Sequence, residues 1–258
     1  MRRHRRLGRA RARRRVLLLT APPLARKALA ELLGTLLLVA AVVGSGIAAQ
    51  RLSPHDTGLE LLENAVATGA ALVAIILAVG PVSGAHLNPA VSAVDALFGG
   101  LTRAELAVYC AAQIAGGMLG AVLANAMFSL SPVSISQHGR DGGALFLSEV
   151  VATFGLLLVV FGIARARRFS AAPFAVGAYI TAAYFFTSST SFANPAVTVS
   201  RMLSDTFSGI APRSVAAFVG AQAVGAGLAY GAVRVLWPRA AEEAAELVVV
   251  PHGGEDVA

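Results

Sequence analysis

The sequence predicts an all-α membrane protein with six transmembrane helices and two re-entrant half-helices, arranged as an inverted repeat. Three observations predict it: too few charges for a soluble chain, six long apolar runs, and a set of short motifs that occurs twice in the same order. Hydrophobic residues make up 56% of the 258 and charged residues only 14%, against about 25% charged in soluble domains. Mean hydropathy is +0.70. A hydrocarbon core about 30 Å thick takes roughly 20 apolar residues as a helix. Runs of that kind cover residues 28–49, 61–80, 104–127, 144–164, 171–187 and 214–236. The expected organisation is a basic tail over 1–27, a membrane domain over 28–236 (repeat halves about 28–127 and 144–236) and a second tail over 237–258.

The net charge of +7 and pI near 10.7 would suggest nucleic acid binding if spread over a soluble surface. Here their location argues for membrane orientation, and no nucleic-acid partner is expected. With a cytoplasmic N-terminus, the inside receives nine arginines between positions 2 and 15 and seventeen of the 21 Lys and Arg in all. Arg51, Arg140, Arg201 and Arg213 remain outside. The positive-inside rule therefore expects both termini in the cytoplasm of a protein that crosses the cell membrane several times. The arginine-rich head reads either as a solvated tail touching anionic lipid or as residues ahead of a start near Arg26. The apolar run at 16–21 is too short for a secretory signal. Cys110 has no second cysteine to pair with.

The duplication justifies the arrangement of the spans. The first span reads Glu31-Leu-Leu-Gly-Thr35 with Gly44 thirteen residues after the Glu; the fourth reads Glu149-Val-Val-Ala-Thr153 with Gly162 thirteen after its Glu. The third contains Gln113-Ile-Ala-Gly116 and the sixth Gln222-Ala-Val-Gly225. Between each pair lies an Asn-Pro-Ala, first Asn88-Pro89-Ala90 and then Asn194-Pro195-Ala196. Three spans per half is an odd number, so the second half enters the membrane from the opposite side, with a functional site expected near the midplane. Asn is a favoured N-cap and Pro a favoured first helical residue. Each Asn therefore starts a short helix, over 89–97 and 195–203. Nine residues at about 1.5 Å each reach halfway across the core. Irregular backbone at that depth is tolerated only inside protein or against a water-filled cavity.

The loops Ser83-Gly-Ala-His86-Leu-Asn88-Pro-Ala-Val91 and Phe192-Ala-Asn194-Pro-Ala196 resemble the paired signature loops of the major intrinsic protein family, the aquaporins and glycerol facilitators. The resemblance runs over about residues 28–236. It implies an aquaporin-like fold in which the half-helices meet end to end, each N-terminus carrying about half a positive charge and free N–H groups. It implies a passive, non-enzymatic pore for water and small uncharged solutes, with no cofactor or metal, in a homotetramer. The amides of Asn88 and Asn194 would donate to a passing oxygen while the positive centre opposes cations and protons. Glu31 and Glu149 would accept hydrogen bonds from loop backbone, and His86 would pack its loop or line the pore. An intramembrane carboxylate is a functional hypothesis by default. A proton-coupled inverted-repeat transporter using Glu31 and Glu149 therefore stands as the alternative, and a non-conducting scaffold as a second.

The selectivity positions depart from the family's commonest pattern. Water and glycerol channels of the family typically carry Arg three residues after the second Asn; here that residue is Val197. Thr68 falls where water channels usually place an aromatic. The fifth-helix position is Ala182 when counted from Asn194 and Tyr184 when matched on Gly177, and Ser191 is the adjacent loop position. The resemblance is to bacterial members with an aliphatic residue in this place, which implies a wider filter passing glycerol-like polyols or undissociated arsenite besides water. Asp95 and Arg201 each lie seven residues after their Asn. Two helical turns put them on the Asn face, Asp95 in the cytoplasmic vestibule and Arg201 in the outer one, one turn beyond the position of the missing arginine.

Overall fold

In the computed structural model, which describes residues 22–238, the first helix begins directly after Pro23, whose extended backbone caps α1 (Leu24–Leu52). Its 29 residues span about 44 Å at 1.5 Å each. That is the thickness of the hydrocarbon together with the headgroup regions. The helix therefore outruns the apolar stretch 28–49 at both ends, carrying Arg26, Lys27 and Arg51 as helical residues. The arginines at 2–15 and the tail segments 1–21 and 239–258 lie outside the described residues.

α2 (Thr57–Ser83) is capped by Asp56, which accepts from the Leu59 N–H, and ends at Gly84 with φ 85°, the left-handed conformation that glycine adopts without penalty. α3 (Pro89–Leu97) follows, and α4 (Arg103–Met127) opens with a capping box of Thr102 and Glu105. The second half repeats the order. α5 (Gly143–Arg165), a 3₁₀ turn (Phe169–Ala171) and α6 (Ala172–Phe186) lead to α7 (Pro195–Ser200), and α8 (Pro212–Leu236) closes the bundle. Six of these segments are long and apolar enough to cross a membrane. The second half-helix departs from its expected form. It is α-helical only to Ser200 and continues as a 3₁₀ turn over Arg201–Leu203. Thr198 and Ser200 there bond back to the carbonyls of Asn194 and Ala196 at 2.8 and 2.7 Å, contacts that loosen a regular helix.

Packing follows the duplication. α1 lies against α2 and α4, and α5 lies against α6 and α8, while α2 and α6 join the halves. Each half-helix touches the third span of both halves, α3 on α4 and α8, α7 on α8 and α4. The glycines of the repeated Gln-x-x-Gly motif explain the tightest crossings. A Cβ on Gly116 would collide with the Leu32 carbonyl, and one on Gly225 with the Val150 carbonyl. Leu32 and Val150 are the residues after Glu31 and Glu149, so the same contact is made twice. On the outside, Leu29, Leu33 and Leu37 are exposed along one face of α1, a strip suited to lipid or a neighbouring subunit.

Candidate functional site

The site is built where α3 and α7 meet N-terminus to N-terminus. Each Asn uses its side chain in two directions. The Asn88 Oδ1 accepts from the Ala90 N–H at 2.9 Å, and its Nδ2 donates to the Ala193 carbonyl at 2.8 Å. Asn194 does the same, accepting from Ala196 N–H at 2.9 Å and donating to the Leu87 carbonyl at 2.7 Å. The two loops are thus cross-tied through the pair. An amide carries two N–H donors, so one on each Asn remains, and both residues line the cavity between the halves.

The loops that deliver these residues are bent identically. Ala85 and Leu87 have φ 48° and 52°, and their repeat counterparts Ser191 and Ala193 have 50° and 46°. Left-handed backbone at non-glycine residues costs on the order of 1–3 kcal/mol each and needs support from its surroundings. That support comes from the two carboxylates. Glu31, buried in α1, accepts from the His86 and Leu87 N–H groups at 2.9 and 2.6 Å, from Ser83 Oγ at 2.6 Å and from Gln113 Nε2 at 2.7 Å. Glu149 accepts from the Phe192 and Ala193 N–H groups at 2.9 Å each and from Gln222 Nε2 at 2.6 Å. Gln113 and Gln222 also donate to Ser92 and Thr198 on the half-helices, at 3.0 and 2.8 Å. The repeat marked these glutamines, but the sequence alone offered no partner for them.

The cavity runs past the Asn pair with about 60 Å³ open to the centres of water molecules, room for a short file of waters at 10–15 Å³ apiece. Its wall is largely aliphatic, with Leu38, Val91, Val160 and Val176 among the lining residues. Polar groups form a stripe: His86 on the side of the chain's N-terminus, the two Asn at the middle, and Thr68, Tyr184, Ser191 and Arg201 on the far side beside Val197. Ala182 is exposed on another face of α6 and does not line the cavity. Of the two alternatives at this position the cavity takes Tyr184, whose hydroxyl lies 3.2 Å from Thr68 Oγ1. The two-residue difference turns the helix by about 200°.

Neither charged residue placed in a vestibule by the sequence is solvated. Asp95 is 1% and Arg201 2% exposed. Each meets the ring two residues before its Asn, another repeated contact: Asp95 Oδ2 lies 3.9 Å from His86 Nε2, and the Arg201 guanidinium sits 3.5 Å from the centre of the Phe192 ring. Asp95 is absent from the cavity wall, whereas Arg201 is part of it. Arg140, read from sequence only as one of the outside charges, reaches the same ring at 4.9 Å and donates to the Gly209 carbonyl at 2.8 Å. Burial lowers its pKa from the ordinary arginine value, opposed by the negative charge of Glu149. No local motif marked it, because its partners are loop carbonyls about 70 residues away.

Six membrane-length helices and two opposed half-helices around a narrow cavity define a multi-pass membrane channel. Comparison with known proteins gives the family. The profile of the major intrinsic protein family matches residues 19–192, and the chain is 52% identical over 213 residues to aquaglyceroporin AqpS of Rhizobium meliloti, covering 83% of this chain and 91% of that one. Aquaporin NIP1-3 of Oryza sativa is 34% identical over 183 residues, 68% of this chain and 62% of that relative. The fold matches the aquaglyceroporin structure from Plasmodium falciparum with a TM-score of 0.63 at 23% identity, covering 84% and 98% of the two chains. The chain belongs to the major intrinsic protein family of passive membrane channels for water and small uncharged solutes.

Proposed function

We propose that the chain conducts small neutral polyols or undissociated acids of the arsenite type together with water, through a filter formed by Thr68, Tyr184, Ser191 and Val197. The observation that carries this reading is the placement of Val197, 5% exposed and lining the cavity one turn after Asn194. A valine offers no donor and no charge to hold compact water against a larger solute. The hydroxyls across from it still match the oxygens of a polyol, and the relative at 52% identity is named an aquaglyceroporin. We further propose a homotetramer in the cell membrane with both termini cytoplasmic, which makes the far side of the cavity the outer one. The support is the asymmetry of Lys and Arg between the two sides and the apolar strip left uncovered on α1.

The two glutamates favour a channel over a proton-coupled transporter. Both are fully buried, their oxygens are occupied by four and three donors, and neither lines the cavity. A stopped-flow panel of water, glycerol and arsenous acid on one proteoliposome preparation tests the proposal. Glycerol and arsenous acid should equilibrate well above the rate of empty vesicles, without response to an imposed pH gradient. Water flux with neither solute moving would reduce the chain to a strict water channel.

A further inference from the structure

The sequence places Arg201 one turn beyond Val197, too far along a regular helix to act at the same level. Its side chain nonetheless reaches the cavity that Val197 lines. α7 tightens into a 3₁₀ turn at Arg201, the guanidinium stacks on Phe192 at 3.5 Å, and its Nε donates to the Ser208 carbonyl. The result is a buried arginine that lines the same cavity as Val197. Its two terminal nitrogens make no hydrogen bond to any described residue, and no carboxylate among those residues lies within ion-pair distance. A cation buried without a counter-ion is costly, so four terminal N–H donors left unspent on a cavity wall call for a partner in the cavity.

A second group points the same way. Ser191 is 4% exposed and lines the cavity, and its Oγ has no hydrogen-bond partner. Its backbone sits at φ 50°, held in the left-handed region beside Phe192. Across from it, Thr68 and Tyr184 bond only to each other. An unpaired hydroxyl and an unpaired guanidinium edge, both carried by one strained loop and the turn packed on it, make a preformed set of donors.

We propose that Arg201 and Ser191 form the solute-binding station of the far-side constriction, taking over from position 197, and that the station recognises neutral solutes with hydroxyls on adjacent carbons. A guanidinium presents its donors as a rigid planar fork, which suits two oxygens held side by side and is half used by an isolated one. Its charge at the same point opposes cations. The inference rests on the channel reading and refines its solute class.

The test compares 1,2-propanediol with 1,3-propanediol, two solutes of one size that differ only in hydroxyl spacing, in proteoliposomes of the full chain, alongside sodium conductance. The parent should pass the 1,2-isomer several-fold faster. Arg201→Lys, which keeps the charge and a donor but loses the fork, should bring the ratio near one and still exclude sodium. Arg201→Gln should lose both the preference and part of the exclusion. Ser191→Ala removes a hydroxyl that bonds nothing in the fold, so it should insert normally and lower the preference by roughly threefold to tenfold, the size of one hydrogen bond. Should the arginine variants fail to insert, Ser191→Ala decides alone. An unchanged isomer ratio in any variant that inserts and conducts overturns the station. A parent that passes neither diol while conducting water overturns the underlying polyol reading.

Discussion

The side chains at the centre serve structure and conduction with the same atoms. Asn88 and Asn194 cap their half-helices, tie the opposite loop and keep one N–H for the cavity. Asn194→Asp keeps the cap but turns the donor to the Leu87 carbonyl into an acceptor, setting two oxygens against each other and a negative charge beside the positive helix ends. Neutral-solute flux should fall at least about tenfold, or 1.4 kcal/mol of barrier, and a cation leak should appear in patch recordings. Unchanged flux and unchanged ion exclusion would remove the Asn pair from the conduction path. Val197→Arg tests the filter level. The added guanidinium, always protonated and carrying five donors, would lie one turn from Arg201 on the same wall, so it would narrow the path and repel its neighbour. Glycerol permeability should drop about tenfold more than water permeability, roughly 1.4 kcal/mol of difference, at equal protein incorporation. A parent-like ratio would place Val197 away from the narrowest ring.

At the scale of elements, each half-helix is suspended from a carboxylate on the first span and an amide on the third. Glu31→Leu would leave two loop N–H groups, Ser83 and Gln113 without their acceptor. At about 1–3 kcal/mol for each buried unpaired group, little folded protein should survive detergent extraction. Glu31→Gln keeps one acceptor oxygen, so it should show a lower Tm yet retain uncoupled flux. Proton-driven accumulation in the parent that vanishes in this variant would revive the transporter. Gly116→Val, which drives a side chain into the Leu32 carbonyl, should separate α1 from α4 at a cost of at least about 1–3 kcal/mol, visible as a lower Tm in size-exclusion thermostability. These elements were legible because repetition exposed them: the Glu, the Gln-x-x-Gly and the Asn-Pro-Ala recur in order, and Pro89–Leu97 begins where its capping residues announce. What stayed hidden depends on reach and on chain pairing distant in sequence. The helix ends pass their apolar runs because headgroup-depth residues need not be apolar. Tyr184 could not be told from Ala182 without the register of α6. The inward placement of the Arg201 side chain rests on stacking against Phe192 and on a Ser208 carbonyl that no local pattern reports.

Over the whole molecule, the inverted repeat buries equivalent residues in opposite halves, and here the equivalents differ in sign. His86 pairs with Asp95 in one half and Phe192 with Arg201 in the other, so a chain with two similar halves is electrostatically polar across the membrane. Orientation therefore matters for which end of the pore a solute meets first, and the flanking charges should set it. The side bearing the N-terminus holds seventeen of the 21 Lys and Arg, nine of them between positions 2 and 15. Deleting residues 2–15 still leaves eight against four. By the positive-inside rule, which counts charges in short flanking loops, the shortened chain should insert the same way round. Ser131, exposed in the loop between α4 and α5, reports this when changed to cysteine in a Cys110→Ala background. A membrane-impermeant maleimide added to intact cells should label Ser131→Cys equally in the full and shortened chains. A cysteine placed at Arg167, exposed in the loop between α5 and α6 on the opposite side, should stay unlabelled until the cells are opened. Loss of outside labelling only in the shortened chain would show that the head decides orientation and the loop charges do not. Labelling of the Arg167 site in intact cells, with the Ser131 site protected, would invert the proposed topology and place Arg201 on the cytoplasmic side.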